Sequence, residues 1–579
     1  MTSQILERPP ADAAPGHRAS IPALARGARR QWPWILLTAG VALLVLLPLV
    51  PLQGRALSNG ADGLRQLTAL PGLGAVVRNT ILMGLGALAV GMVLGTVLAF
   101  CVYAMPPRLR RYLAFTPVLP MVIPSVAHVV GFVFLFSPEN GYVNTLLRGT
   151  GLFSGGSGPI NVYTSFWIIV YTGVHLAAFV FLFVYSGLRN LGTEYELAAR
   201  VNGAGSIRSL VTITLPLLRP TFVYAGAVVL LLALGQFTGP LILGRREGLD
   251  VLTTRMYELT LDYPVNYSLA AAFGTPLIVV AVLLIVAQRK MIGNVNRFVG
   301  QGAATVDARV PGRVTTFVSV TIVGVFVLVS AIMPLLALAF VSLSPFWSGK
   351  LSLSALTFEN YPDTLNSPAI VDSVVTSLTV SVLAVVIVLP LGMLIALGIQ
   401  NRDRLWRPLP TILDVAANLP LSIPAALVGF GFLFALSGPP LQIYGTSASF
   451  VLGYVTIMIP YATRYQLATL VALGRQTFDA SRVSGGGPVR TFFRIILPLS
   501  RSGIASSAAI MFVLLIHEFG VSLLLRSPTV NVLSVALFDQ YDGGSYPQVA
   551  VIAIVMTAIT AAGVAAAMLF GGSRALERL

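Results

Sequence analysis

The sequence predicts an all-α membrane protein with about twelve transmembrane helices, arranged as two parallel six-helix halves related by a pseudo-twofold axis. Three observations lead there. Of 579 residues, 56% are hydrophobic and 10% charged, and the mean hydropathy is +0.85, so the main solvent of this chain is lipid. Apolar runs of roughly 20 residues recur along its length. A polar loop also occurs twice at a constant offset of 282 residues, the mark of an internal duplication.

In chain order, residues 1–31 are rich in Pro, Ala and Arg and offer little to bury, which predicts a disordered cytoplasmic tail. The run Trp32–Leu52 is long enough to span, and no small-residue cleavage site follows it, which favours a span over a cleaved signal peptide. Further spans are expected at 79–103, 113–137, 163–187, 219–243 and 269–288. They complete a first transmembrane domain over 32–290. A polar cytoplasmic linker at 291–314 follows. The second domain, 315–579, holds spans at 315–343, 374–399, 409–437, 448–472, 501–525 and 547–571.

Arginine placement sets the orientation. Arg108, Arg110 and Arg111 follow the second span, Arg289, Lys290 and Arg297 the sixth, Arg402, Arg404 and Arg407 the eighth, and Arg574 and Arg578 close the chain. By the positive-inside rule these loops and both termini are cytoplasmic. An even number of spans per half makes the halves parallel. The net charge of +16 is therefore spread over short connectors and forms no basic face for nucleic acid. Cys101, the only cysteine, lies in an apolar run, so neither a disulfide nor a thiolate metal site is available within the chain.

The duplicated loop spans 194–218 and 476–500. Its first copy reads Leu197-Ala198-Ala199-Arg200-Val201-Asn202-Gly203 and continues to Ile213-Thr214-Leu215-Pro216. The second reads Asp479-Ala480-Ser481-Arg482-Val483-Ser484-Gly485 and continues to Ile495-Ile496-Leu497-Pro498. Small residues let another surface approach, glycine supplies a backbone turn other residues avoid, and the prolines mark re-entry to the membrane. Recurrence at one spacing favours a docking element over two ordinary basic connectors. A second pair, Leu119-Pro120-Met121-Val122-Ile123-Pro124 and Leu419-Pro420-Leu421-Ser422-Ile423-Pro424, recurs at an offset of 300. Its prolines are expected to break or kink helices.

Both loops resemble the EAA loop of ABC importer permeases (Glu-Ala-Ala, three residues, Gly, nine residues, Ile-x-Leu-Pro). Ala198, Ala199 and Gly203 match in the first copy. Ala480 and Gly485 match in the second, with Asp479 for Glu and Ser481 for Ala. Leu197 holds the acidic position of the first copy, and Glu196 stands beside it. Two such domains in one chain resemble the fused permeases of the iron(III) and thiamine import group. The resemblance implies that Glu196, Ala198, Ala199, Arg200 and Gly203, with Asp479, Ala480, Ser481, Arg482 and Gly485, form coupling helices for two ATP-binding cassette ATPases. It also implies delivery by an extracytoplasmic solute-binding protein, alternating access, and a bacterial inner-membrane location. ATP and Mg would act on the partner chains. Neither lysine here, Lys290 or Lys350, has P-loop context, so this chain is a transport subunit and no enzyme.

Ionisable groups within spans are functional candidates. His517-Glu518-Phe519 lies deep in the eleventh run, and the 282 offset places Glu518 over Gln236 and Phe519 over Phe237. Gln236, Phe237, His517, Glu518 and Phe519 are therefore expected to line the translocation path, with Glu518 facing Gln236; the plain alternative is an interhelical brace. His128, His175, Tyr171 and Asn79 read as packed polar residues. No cluster has metal-site spacing. Ferric iron is the substrate first suggested by the fusion of the halves; thiamine, phosphonate, sulfate, polyamine or sugar would fit the same scaffold. The rival class is a gradient-driven secondary transporter.

Overall fold

The computed structural model describes residues 21–292 and 312–571, apart from 152, 154–156, 192–194, 196–197, 200, 402–404 and 407. Among them the structure is helical with no strand. Helix α1 (Ile21–Ala69) starts inside the expected tail, because residues 21–31 are mostly helix formers, and it runs beyond Leu52. The first half continues with α2 (Leu73–Tyr103), α3 (Ser125–Phe136), α4 (Ser165–Asn190), α5 (Arg219–Leu234), α6 (Leu252–Glu258) and α7 (Tyr267–Ile292). The second repeats them as α8 (Arg313–Val327) and α9 (Met333–Ser342), then α10 (Pro368–Gln400), α11 (Ala425–Leu436), α12 (Ser447–Val483), α13 (Leu497–Ile516), α14 (Gly520–Leu525), α15 (Leu533–Asp542) and α16 (Tyr546–Gly571). Most of the expected linker, 293–311, lies outside the described residues.

Eight helical stretches are long and apolar enough to cross a membrane, and three bent pairs bring that to eleven. Twelve were expected. The difference is α12, whose 37 residues are broken by a kink at Gly474 (φ 71°, ψ 154°) and which carries Arg464, Tyr465 and Gln466 among its apolar residues. The third and ninth expected spans are not straight. Segments 107–122 and 125–136 meet at 91°, and 408–422 and 425–436 at 104°. Proline causes both bends: Pro124 and Pro424 sit at the start of α3 and α11 with φ/ψ of −52°/134° and −50°/134°, outside the helical region and without an N–H to donate.

The halves are interlocked. α1 packs on α7 of its own half and on α11 of the other, while α9 packs on α16 and on α3. Two glycines at the offset of 300 permit the crossing. A Cβ on Gly131 would lie 2.9 Å from Pro334 of α9, and one on Gly431 would collide with the carbonyl of Pro48 in α1. Within each half α2 packs along α4, and α10 along α12.

Candidate functional site

Where both are described, the two loops share one backbone pattern. In the first, Gly203 takes φ 77°, and the N–H groups of Asn202, Ala204 and Ser209 donate to the carbonyls of Ala198, Ala199 and Gly205 at 3.2, 2.9 and 2.9 Å. In the second, Gly485 takes φ 75°, and Ser484, Gly486 and Thr491 donate to Ala480, Ser481 and Gly487 at 3.1, 2.8 and 2.9 Å. Every bond is shifted by 282. A Cβ on either glycine would meet nothing within 4 Å, so glycine is required for its left-handed backbone and not for space. A π-helical turn follows each loop, at Leu210–Thr214 and Phe492–Ile496, just before Pro216 and Pro498.

The side chains differ between copies. Ala199 is buried, and so is its counterpart Ser481, whose hydroxyl lies 2.7 Å from that of Thr491. Asp479 and Arg482 are exposed and paired at 3.7 Å, while Ala198 and Ala480 face solvent. A cavity of about 370 Å³ adjoins the first loop, lined by Tyr195, Ala198, Ala199, Asn202 and Arg208 among others. Glu196 and Arg200 lie outside the described residues. Sequence reasoning passed over Val201 and Val483, which are 88% and 90% exposed at equivalent positions. Their signal was available: an apolar residue at the same place in two polar loops.

The second site lies where α5 and α13 stop. After Leu234 and Ile516 the chain leaves the helix for three residues, and the rings of Phe237 and Phe519 stack across the halves with centroids 5.9 Å apart and planes 26° from parallel. Both are buried. Each is backed by a second ring, Tyr257 at 5.8 Å from Phe237 and Phe538 at 5.3 Å from Phe519. Matching hydrogen bonds hold the two breaks. The hydroxyl of Thr253 donates to the carbonyl of Gln236 at 2.6 Å, and that of Ser534 to the carbonyl of Glu518 at 2.5 Å. The N–H of Leu252 reaches Thr80 Oγ1 at 2.9 Å, and that of Leu533 reaches Ser377 Oγ at 2.7 Å.

The phenylalanines therefore meet, whereas Gln236 and Glu518 share no hydrogen bond. The Glu518 carboxylate is taken up in its own half, where it accepts the N–H groups of Val521 and Ser522 at 2.8 and 2.9 Å and the Ser522 hydroxyl at 2.5 Å. That is an N-terminal cap on α14: a carboxylate satisfying unpaired N–H groups at the positive end of a helix. Tyr454, buried, adds a contact to Ser522 at 2.8 Å. His517 Nε2 lies 2.7 Å from the Thr560 hydroxyl. Gln236 instead lines a narrow crevice with Thr80, Met83 and Thr172.

Of the remaining polar residues, His128 is held between the Tyr171 hydroxyl at 3.2 Å and the Ser330 carbonyl of the other half at 2.7 Å. Asn79 donates to the carbonyl of Asp250 at 3.2 Å. Arg245 pairs with Asp542 of the second half at 3.0 Å. Near it Arg255 bridges Asp250 and Glu258 at 3.9 and 2.9 Å. Burial, and then the neighbouring Glu258 charge, push the Asp250 carboxyl up to about 6. Among the described residues no group of three His, Cys, Asp or Glu could hold a metal ion.

Comparison with known proteins adds one family match and three relatives. A family model described as "binding-protein-dependent transport system inner membrane component" matches twice, at residues 91–293 and 388–572. Each match contains one loop and one phenylalanine break, and leaves out α1 or α8 and α9. The chain is 26% identical to a probable ABC transporter permease protein, y4fN, of Sinorhizobium fredii, over 91% of this chain and 93% of that one. It is 23% identical to the ferric transport system permease protein FbpB of Actinobacillus pleuropneumoniae, over 83% and 69%. A putative 2-aminoethylphosphonate transport system permease protein, PhnV, of Salmonella typhimurium is 29% identical over 41% of this chain and 88% of its own length.

Proposed function

The chain belongs to the family of binding-protein-dependent transport system inner membrane components, and from that premise we propose how it moves its substrate. It is the permease subunit of an ABC importer, multi-pass in the membrane, and its relatives are permeases and not enzymes. In our reading the loops around Gly203 and Gly485 seat on two ATPase subunits at the cytoplasmic face, with N- and C-termini on that side. The stacked Phe237 and Phe519 close the path, with Arg245 and Asp542 joining the halves on the opposite side. ATP binding draws the ATPases together, the loops follow, and α5 and α13 carry the two rings apart. A solute-binding protein on the far side then releases its cargo into the opened path.

The observation that carries this reading is the repetition of three loop hydrogen bonds and a left-handed glycine at an offset of 282. Two equal docking elements suit two copies of an engine. A gradient-driven carrier would leave that duplication without a use.

The proposed substrate is ferric iron, on the relationship to FbpB. A phosphonate is the second candidate, on the relationship to PhnV. Cells with and without the chain are to be compared for uptake of radioactive ferric iron and of 2-aminoethylphosphonate. Iron accumulation that stops on ATP depletion and persists with a proton ionophore supports the proposal. Phosphonate uptake alone overturns the substrate, and loss with the ionophore while ATP is maintained overturns the mechanism.

A further inference from the structure

Both amide atoms of Gln466 in α12 are buried without a hydrogen-bond partner, although the residue is only 1% exposed. The hydroxyls of Thr463 on α12, and of Ser500 and Ser507 on α13, share that condition. Thr463 and Gln466 are three residues apart, and Ser500 and Ser507 seven, so each pair lies on one helical face. The faces of Gln466 and of Ser500 and Ser507 meet, since α12 packs on α13 and a Cβ on Gly503 would collide with the side chain of Thr469, one turn from Gln466, while Thr463 sits towards α10, its backbone N 3.0 Å from a Cβ built on Gly392.

The first half shows what this interface looks like without the polar groups. At the offset of 282, Thr463, Gln466, Ser500 and Ser507 correspond to Phe181, Val184, Leu218 and Ala225. All four are fully buried and apolar. Even the knob and hole are exchanged, with Gly187 against Thr221 in the first half and Thr469 against Gly503 in the second. The cores follow suit. In the first half Phe181, Val184 and Leu218 belong to one cluster reaching from Ala87 to Leu218 and beyond. In the second, Met393, Ala396, Leu470 and Ile496 form a much smaller cluster.

Buried polar groups are normally paired, and an unpaired one penalises the conformation that buries it. We propose that this interface is a polar slip seam: the closed packing of α13 on α12 is held weakly on purpose, and α13 shifts along α12 to a second packing in which water pairs these groups. The seam begins at Ser500, beside the second loop at 476–500, and α13 ends at the break that carries Phe519. A shift of α13 therefore links loop to ring. The first half, with its dry apolar counterpart, moves as one block, so the second half is the one that yields. The link to transport rests on the permease reading above. The seam itself does not.

The test uses the full chain in detergent, with the first half as internal control. Amide hydrogen exchange should be faster by tenfold or more along 497–516 than along 219–234. Gln466→Leu with Ser507→Ala should raise the unfolding temperature and slow exchange along 497–516 towards that of 219–234. Ser507→Ala alone serves if the double variant fails to fold, and should act in the same direction. Equal exchange in the two helices, or a lowered unfolding temperature in Ser507→Ala, would show that the polar groups support the closed packing, and the proposal would fall. A slowed seam with unchanged ATP-driven uptake would leave the seam standing and remove its link to transport.

Discussion

Replacing Gly203 and Gly485 by alanine isolates the loop conformation from everything else. Each glycine holds φ near 76°, and a Cβ would meet nothing within 4 Å. The cost is therefore backbone alone, about 1–2 kcal/mol for a non-glycine residue in the left-handed region. That cannot unfold a helical frame anchored elsewhere. It does lower the population of the docking-competent loop by about 5- to 30-fold, and apparent affinity falls by the same factor. The loops are separate, so the effects should add in free energy. The assay is binding of purified ATPase to the permease in detergent, with thermal unfolding measured in parallel. Each alanine should weaken binding about 5- to 30-fold and leave the unfolding temperature within about a degree. Asparagine, which enters the left-handed region more readily, should weaken it less. Unchanged binding in the alanine variants, or equal effects of alanine and asparagine, would refute the reasoning.

Other consequences can be checked alongside. Glu518→Ala strips three donors of their acceptor and should lower stability by about 3 kcal/mol or more in denaturant titration; Gln236→Ala, with no side-chain hydrogen bond among the described residues, should change it little. Asp542→Arg should loosen the closed state and raise ATPase turnover of the assembled complex without substrate, and adding Arg245→Asp should reverse this; the exposed pair is worth at most about 1 kcal/mol, so a change of severalfold is the ceiling. Asp250, held near 6 in the fold against an ordinary 3.8, binds its proton earlier when folded. Its contribution to stability is thus complete below 3.8 and lost as pH rises through 6. Unfolding temperature should rise between pH 7.5 and 5, and Asp250→Asn should flatten that rise.

The loops were the most legible part of the sequence, because small residues and a glycine that turns out left-handed recur in both at fixed spacing. The breaks at Pro124 and Pro424 were legible for a related reason, since proline's missing N–H acts locally. What hydropathy hid was the interior of the spans. The windows 219–243 and 501–525 read as continuous apolar runs, yet both helices stop at the phenylalanines, because apolar composition does not distinguish a buried break from a helix. Glu518 looked like a path-lining charge, since the sequence gives no sign that the six residues after Phe519 form a separate helix needing a cap. Helix α12 fell short of an apolar span partly through Gln466, which also belongs to the seam. Side-by-side comparison of the two halves makes that seam readable: Phe181, Val184, Leu218 and Ala225 against Thr463, Gln466, Ser500 and Ser507.

The most direct test of the account is photocrosslinking from Val201 and Val483, each replaced in turn by a photoreactive amino acid in native membranes. Their exposure of 88% and 90% places them at the proposed docking surface without a role in the fold. The account predicts that both positions yield an adduct with a P-loop ATPase, identified by mass spectrometry, and that Gly203→Ala weakens the first and Gly485→Ala the second. Adducts with lipid or with this chain alone, at both positions, would contradict it.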